Sequence, residues 1–301
     1  MRPEIEQAVE LIQRHDPKSL DEALALLQNT VFSFSMKVCG QRQDAEDTMQ
    51  EVLLQSVRSL SKFESPRALM VWLYKVAKSR CLMSRRKSKF APKEALSLEE
   101  LMPARRELES LSGNFAASPE TTLDRKESAK HLRDAVQKLP PEYRLILVLH
   151  DMEELSDADI GEITGLREGT IRVRLHRARL FVRKELSRQS ATNNRQQTSK
   201  HSVSVQPPEQ PRLRRCKEMF AELSSYLDDK LDKSLCDELE KHMSGCEPCK
   251  AFLASLEKTI EQCRTLPKDD PDPRAAAKLR QELLAEYQRT LASLIKRRPV
   301  I

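Results

Sequence analysis

Residues 156–186 read SDADIGEITGLREGTIRVRLHRARLFVRKEL, and this stretch decides the fold of the segment around it. Ser156 is a good N-cap for a first helix, because its hydroxyl can accept a hydrogen bond from a backbone N–H of the first turn. Gly165 permits the tight turn that follows, since glycine adopts left-handed backbone angles without a steric penalty. A second helix that begins near Glu168 would bury Ile171 and the apolar residues on the same face. The stretch therefore predicts a helix-turn-helix.

The second helix of this motif carries basic side chains opposite its apolar face. Such a helix fits the major groove of B-DNA, where its first residues reach base edges and later arginines hold phosphates. An ordinary basic surface helix is the alternative, and the turn combined with the arginine face favours DNA binding. The residues predicted to contact DNA from the exposed side are Arg167, Thr170, Arg172 and Arg174 at base edges, Arg177, Arg179 and Arg183 at phosphates, and His176 beside them.

The composition favours helices over strands. Six glycines and 4 % aromatic residues argue against a β-rich chain, whereas 33 % charged residues and apolar residues at mostly helical spacing fit small bundles. The net charge of +6 is uneven, because residues 75–93 hold eight basic and no acidic residues, and residues 167–188 hold eight basic and two acidic ones. Two basic stretches indicate a polyanion contacted at two places, with two solvated helix faces as the alternative.

The 301 residues leave room for two or three domains. Helical periodicity predicts a first bundle over residues 5–90 and a second bundle, with the helix-turn-helix, over residues 125–187. Residues 91–124 carry several prolines and are predicted to be a linker. Residues 188–211 are polar and aperiodic, so a flexible tether is expected. An amphipathic helix is predicted over residues 273–297.

Five of the seven cysteines lie in residues 212–266. His242, Cys246 and Cys249 follow an HxxxCxxC pattern, which on a helix places an imidazole and two thiolates on one face. Cys216 on a neighbouring helix would supply a fourth ligand for a tetrahedral zinc site, and a closed site of that kind is structural rather than catalytic. No HExxH or deaminase pattern is present in the sequence, so an enzyme is not expected. The predicted fold is therefore all-α, with two small helical bundles, a small zinc-binding helical domain and a C-terminal amphipathic helix.

Other interpretations of the cysteines remain open. Cys236 is an alternative fourth ligand, and Cys246 with Cys249 can instead form a redox disulfide or have no ligand role. Cys39 and Cys81 are predicted to be core thiols. No apolar stretch approaches the roughly 20 residues that span a bilayer, so no membrane contact is expected and a cytoplasmic location is predicted.

The helix-turn-helix and the run before it, LPPEYRLILVLHDMEELSDADI at 139–160, closely resemble the fourth conserved region of group IV, or extracytoplasmic-function, sigma factors. The first bundle resembles their second conserved region in QDAEDTMQEVLLQSVRSLSKF at 43–63 and ALMVWLYKVAKSRCLMSRRKSKF at 68–90. The resemblance implies a protein that directs RNA polymerase core to promoters. In that family the helix-turn-helix reads the −35 element and the first bundle recognises and melts the −10 element. A regulator that binds duplex DNA only is the alternative.

The resemblance also implies site residues in the first bundle. Asp47, Gln50 and Glu51 correspond to the helix face that docks the polymerase clamp, and acidic and amide groups at this spacing suit basic partner side chains. Residues 62–69 correspond to the loop that captures a flipped base of the −10 element. The residues implied on the −10 side of the DNA are Lys75, Lys78, Ser79, Arg80, Arg85 and Arg86.

Residues 213–266 resemble the zinc-binding anti-sigma domain, in which a helix with the leading cysteine precedes the HxxxCxxC helix. The resemblance implies zinc as a structural or regulatory cofactor and an intramolecular contact between this domain and the sigma domains. Inhibition and activation in cis are both compatible with the sequence. A zinc-sensing or redox-sensing interaction module without initiation activity is a further alternative.

Overall fold

The computed structural model describes residues 3–14, 16–60, 63, 65–86, 95–103, 122–195, 220 and 222–296. All regular structure in these residues is helical, which confirms the predicted all-α fold. None of the described helices is long and apolar enough to cross a membrane. The elements are α1 (Pro3–Gln13), α2 (Pro17–Cys39), α3 (Arg42–Val57), α4 (Pro66–Arg86), α5 (Leu98–Leu101), α6 (Thr122–Lys138), α7 (Pro141–Leu147), a π-helical turn (Val148–Met152), α8 (Asp157–Thr164), α9 (Glu168–Arg195), α10 (Lys233–Ser244), α11 (Glu247–Arg264) and α12 (Pro273–Lys296).

The chain divides into two compact units. The first unit consists of residues 1–92, 148–166 and 267–301, and the second consists of residues 93–147 and 167–266. Helices α1 to α4, α8 and α12 therefore belong to the first unit, and α5 to α7 and α9 to α11 belong to the second. The segment with the predicted metal ligands thus shares a unit with α9.

Local sequence signals set both ends of α2. The Asp16 carboxylate accepts a hydrogen bond from the Ser19 N–H at 2.9 Å, and Pro17 occupies the first helical position, where its missing N–H is not needed. Gly40 ends the helix with φ 81°, a left-handed conformation that glycine adopts readily, and donates its N–H to the Met36 carbonyl at 3.0 Å. These signals fix the length of the longest helix in the first bundle.

A buried charged group lies in the core of the first unit. Glu153 is 1 % exposed, accepts a hydrogen bond from Lys37 Nζ at 2.9 Å and accepts a second from the Tyr74 hydroxyl at 2.6 Å. Because a buried charge is costly unless it is paired and hydrogen-bonded, these contacts hold the chain after the π-helical turn against α2 and α4. Large apolar side chains that fill the same core are Leu24, Leu27, Phe32, Phe34, Leu53 and Leu69.

The C-terminal helix α12 packs against α2 and α3. Ala276 and Leu283 on its apolar face are buried. Gln28 of α2 donates its side-chain amide to the Ala276 carbonyl and accepts a hydrogen bond from Arg280, both at 3.0 Å. The predicted C-terminal amphipathic helix is therefore confirmed, and it belongs to the first unit.

Cys39 and Cys81 are buried, as expected of core residues, but they are joined in a disulfide. The prediction of two core thiols is wrong, because the end of α2 and α4 bring the two Cα atoms to 5.1 Å, which is within reach of a disulfide. The two positions are 42 residues apart in the sequence, so no local pattern indicates the pairing.

Helix α9 is the central element of the second unit and packs with α5, α6, α7 and α11. It continues to Arg195, so residues 188–195 of the predicted tether are helical, and residues 196–211 lie outside the described part. Apolar residues from α9 and from the segment after residue 212 share one core. Its buried members are Leu101, Leu180, Phe220, Leu223, Leu239, Cys249, Phe252, Leu253, Leu256 and Ile260.

Candidate nucleic-acid interface and metal centre

The helix-turn-helix forms as its sequence predicts. The Ser156 hydroxyl accepts a hydrogen bond from the Asp159 N–H at 3.1 Å, so α8 starts directly after its N-cap. Gly165 has φ 77° and donates its N–H to the Gly161 carbonyl at 2.8 Å, which ends α8. Helix α9 then begins at Glu168.

The first residues of α9 face solvent. Arg167, Thr170 and Arg172 are exposed, and Arg174 is half-buried in an ion pair with Glu142 at 2.8 Å. Three of the four residues predicted at base edges are thus accessible from outside the second unit. Their role at base edges stays a prediction.

The middle of α9 is buried. Exposure falls to 7 % at His176, 0 % at Arg179 and 2 % at Arg183, while Arg177 is half-buried. The expectation that His176, Arg179 and Arg183 face DNA from the exposed side of the helix is therefore wrong. The reason is that residues after position 220 supply polar partners, which lets these side chains leave water.

Arg179 is held by the carboxylate of Asp228. Its Nη1 donates to Oδ2 and its Nη2 donates to Oδ1, both at 2.8 Å. Nη1 also approaches the backbone carbonyl of Ser224 at 3.5 Å. Two parallel bonds between a guanidinium and a carboxylate make a strong and directional contact, so this pair fixes the segment around residue 228 on α9.

His176 lies one turn before Arg179 and contacts the same segment. Its Nδ1 is 2.8 Å from the Ser224 hydroxyl. Burial, followed by the charges of Arg179 and Arg177, lowers the pKa of His176 to about 4. The imidazole is therefore neutral near pH 7, and protonating it in place would put a third positive charge beside two arginines.

Arg183 lies one turn after Arg179 and contacts α11. Its guanidinium carbon is 4.0 Å from the centre of the Phe252 ring, a cation–π distance, and its Nη1 donates to the Ser255 hydroxyl at 3.4 Å. Phe252 also packs on Phe220, with ring centres 4.6 Å apart. The cover on α9 thus extends over the turns from residue 176 to residue 183.

On α4, Lys75 and Ser79 are exposed and Lys78 is partly buried. Lys78 Nζ donates to the backbone carbonyl of Ile163 at 2.7 Å, near the end of α8. Burial, followed by the charge of Lys75, lowers the pKa of Lys78. The side chains of the last two predicted DNA contacts of this helix, Arg85 and Arg86, lie outside the described part of the chain.

The three residues implied at the polymerase clamp lie together on α3. Asp47 and Gln50 are exposed, and Glu51 is partly exposed and forms an ion pair with Arg80 of α4. This face is therefore exposed on the surface of the first unit, and its role in binding polymerase stays a prediction. The pair also links a residue implied at polymerase to one implied at DNA.

His242, Cys246 and Cys249 converge at the junction of α10 and α11. Their donor atoms lie within 4.8 Å of one another, and both His242 Nε2 and Cys246 Sγ are 3.3 Å from Cys249 Sγ. The helix breaks at Gly245, so the three donors come from two helices rather than from one helix face. One imidazole and two thiolates are a donor set that suits zinc.

The fourth ligand predicted for this centre, Cys216, lies outside the described residues. The alternative, Cys236, is half-buried on α10 and does not belong to the converging group among the residues that the structure describes. Its Sγ lies 4.0 Å from the Leu231 carbonyl. The described geometry thus gives three converging donors for a metal ion.

Ser224 and Asp228 are partners of α9 that the sequence pattern does not predict. Asp228 lies in the polar run SSYLDDKLD and is 49 positions from Arg179, so the pattern reads as a solvated turn. Val173 was missed as well. It is 50 % exposed among the arginines at the start of α9, where an apolar side chain suits thymine methyl groups.

Comparison with known proteins assigns three parts of the chain. Residues 24–90 match the family described as "Sigma-70 region 2", residues 130–182 match "Sigma-70, region 4", and residues 216–250 match "Putative zinc-finger". These ranges contain the first part of α9, up to residue 182, the three α3 residues implied at the polymerase clamp and the three converging metal donors.

Similar proteins carry sigma-factor names. The chain is 26 % identical over 182 residues to the ECF RNA polymerase sigma factor SigW of Bacillus subtilis, which covers 60 % of this chain and 96 % of that protein. It is 28 % identical over 188 residues to the RNA polymerase sigma-H factor of Pseudomonas aeruginosa, with 60 % and 93 % covered. The SigE factor of Mycolicibacterium smegmatis is 29 % identical over 174 residues, with 58 % and 63 % covered. The chain therefore combines sigma-70 regions 2 and 4 with a zinc-finger domain that follows them, and over the two sigma regions it is similar to RNA polymerase sigma factors of the extracytoplasmic-function group.

Proposed function

We propose that this sigma factor directs RNA polymerase core to promoters and that its zinc-finger domain, residues 212–266, inhibits it in cis by covering α9. In the active state region 4 reads the −35 element, and region 2 recognises and melts the −10 element. In the inhibited state the two faces that would meet DNA are engaged by the protein itself. The Arg179–Asp228 pair is the observation that carries this proposal.

Asp228 competes with DNA for Arg179. A carboxylate that accepts both arms of a guanidinium uses the same donors that a phosphate would use. Both partners are desolvated, since the side chains are 0 % and 8 % exposed. Arg179 therefore reaches a phosphate only after Asp228 has left, which makes the two contacts mutually exclusive.

The neighbouring contacts extend this competition along α9. His176 is covered by Ser224, and Arg183 is covered by Phe252. A major groove is about 12 Å wide and accommodates a bare helix. A helix that carries packed protein over residues 176–183 does not enter it, although Arg167, Thr170 and Arg172 remain exposed.

Contacts in the first unit support inhibition on the −10 side as well. Lys78 donates to a carbonyl at the end of α8, where a helix carries partial negative charge. Arg67 of α4 contacts α8 through Asp159 at 2.8 Å and Glu162 at 2.9 Å. The start of α4 therefore holds a helix of region 4, rather than promoter DNA, beside the predicted −10 contacts.

Zinc would keep the inhibitory domain folded. His242, Cys246 and Cys249 would hold the ion, with Cys216 as fourth ligand, and the ion would join α10 to α11. Because ligand binding and folding are coupled in small metal domains, loss of zinc would unfold this domain. Ser224 and Asp228 would then leave α9, and the recognition helix would become free to dock.

In vitro transcription with RNA polymerase core tests the proposal. The template is a promoter selected from a randomised library with zinc-depleted protein, and the variant Asp228→Asn is compared with the wild type. Asp229→Asn is the matched control. Asp229 directly follows Asp228 and is exposed, so this variant removes the same charge from the surface and leaves the pair with Arg179 intact. We expect more transcript from Asp228→Asn, by about tenfold, which corresponds to about 1.4 kcal/mol of lost inhibition, and wild-type levels from Asp229→Asn.

Two results would contradict the proposal. If neither the wild type nor the zinc-depleted protein yields a promoter-specific transcript, the chain does not initiate transcription. If transcripts form but neither Asp228→Asn nor zinc depletion increases them, the zinc-finger domain is not an inhibitor.

A further inference from the structure

The disulfide between Cys39 and Cys81 crosses the interior of region 2. It joins the last residue of α2 to α4 over a sequence separation of 42 residues, so the enclosed loop contains the whole of α3. The two cysteines are 2 % and 1 % exposed. The bond therefore ties α2 to α4 inside the region 2 bundle, with α3 in the loop that it closes.

The surroundings of this bond connect it to both predicted surfaces of region 2. The Thr48 hydroxyl of α3 lies 3.9 Å from Cys39 Sγ and 4.0 Å from Cys81 Sγ. Thr48 directly follows Asp47 of the implied polymerase face, and Cys81 directly follows Arg80 of the implied DNA face. Formation or reduction of the disulfide thus changes the packing directly beneath the implied polymerase face and the implied DNA face.

We propose that Cys39 and Cys81 form a reversible redox site that stabilises region 2 when it is oxidised. The oxidant is a peroxide. One thiol and hydrogen peroxide give a sulfenic acid and water, and the second thiol then displaces a second water as the sulfur–sulfur bond forms. The balance is two thiols and one peroxide to one disulfide and two waters, and a dithiol reductant reverses it by thiol–disulfide exchange.

Oxidation of this site acts in the opposite direction to oxidation of the zinc-binding thiolates, and this part rests on the proposed function. A disulfide between Cys39 and Cys81 limits the conformations of unfolded region 2 and so favours its fold. A disulfide between Cys246 and Cys249, formed with a second peroxide, removes two metal ligands and unfolds the inhibitory domain. The same oxidant would therefore stabilise the part that meets polymerase and release the part that restrains it.

Peptide mapping of the full-length, zinc-loaded protein tests the redox site. The protein is reduced with dithiothreitol, desalted, divided into reduced and peroxide-treated samples, alkylated and digested with trypsin. We expect peptide 38–42 (VCGQR) linked to peptide 81–85 (CLMSR) in the oxidised sample, and both peptides alkylated in the reduced sample. Recovery of both as alkylated peptides after peroxide has linked Cys246 to Cys249 would overturn the proposal.

Hydrogen exchange tests the stabilisation. We expect amide exchange in α2 to α4 to slow by at least about tenfold on oxidation of the wild type. Cys39→Ala should lose this response, and Cys263→Ala, which changes a buried cysteine of the second unit, should keep it. Linked peptides with unchanged exchange would overturn the stabilising role. If Cys39→Ala does not fold, the comparison of amide exchange between the oxidised and the reduced wild type still tests the stabilisation.

The redox site and the sigma activity fail separately. Linked peptides and slowed exchange in a protein that gives no transcript at any redox state would leave the redox site standing and remove the proposed function. A promoter-specific transcript from a protein that gives no linked peptides would leave the proposed function standing and remove the redox site.

Discussion

Arg179 and Asp228 form a two-armed ion pair with both N–O distances at 2.8 Å, and the arginine side chain is completely buried. The two side chains are 0 % and 8 % exposed, so a buried charge would lose most of its compensation if its partner were removed. The packing of Ser224, Asp228 and α11 on α9 is therefore a discrete arrangement, which opens only when the buried pair separates. The coupling free energy between the two side chains can therefore be measured.

A double-mutant cycle measures the coupling of the pair. Arg179→Met should lower the free energy of unfolding of the second unit by about 3–5 kcal/mol, because Asp228 is left as a buried unpaired charge. Asp228→Leu should cost a similar amount, and the double variant should cost clearly less than the sum of the two. Denaturant unfolding gives these values. Arg188→Met, which removes an exposed partner of Glu185, is the control and should cost less than about 1 kcal/mol.

The cycle also has a result that would contradict its premise. Strictly additive effects of Arg179→Met and Asp228→Leu would mean that the two side chains do not interact in solution, and the competition between Asp228 and DNA would lose its basis.

The ends of helices were predictable from the sequence, whereas the cover on α9 was not. Ser156 and Gly165 act on atoms three or four residues away, so residue type alone indicates their roles. Arg179 and Cys39 acquire their partners across 49 and 42 residues. A helical pattern records only whether a position is polar, so a buried arginine with a distant carboxylate looks the same as a surface arginine.

The fourth zinc ligand can be identified by substitution. We expect one zinc ion per chain, with loss of zinc in Cys249→Ser and Cys216→Ser and retention in Cys236→Ser, because Cys236 lies outside the group of converging donors. Zinc content after gel filtration, measured by atomic emission, gives the result. Loss of zinc in Cys236→Ser with retention in Cys216→Ser would assign the fourth position to Cys236 instead.

The exposed face of α3 should bind RNA polymerase core. The double variant Asp47→Ala/Gln50→Ala should weaken core binding by about tenfold or more, because both side chains are accessible and lie together on the implied clamp face. Glu51 is left intact, since its pairing with Arg80 would mix the polymerase and DNA effects. Affinity for immobilised core enzyme is measured, with Glu46→Ala on the same helix as control. Equal affinity of the double variant and the wild type would contradict the assignment.

His176 gives the inhibited state a pH dependence whose sign can be worked out. Burial next to Arg179 and Arg177 lowers its pKa to about 4, whereas in the released domain it returns towards 6.5. The form in which α9 is uncovered therefore binds more protons between these two pH values. The form in which α9 is covered has its full stability above about pH 6.5 and loses stability as the pH falls. At pH 5.5 the loss is about 1.4 kcal/mol, or about tenfold in the equilibrium.

Binding of duplex DNA with the −35 element should strengthen accordingly between pH 7.5 and pH 5.5. Zinc binding is itself pH-dependent, so the measurement is made at saturating zinc and compared with His176→Gln, which keeps a polar side chain but has no proton to gain. A pH response of the same size in His176→Gln would assign the effect to the metal centre instead.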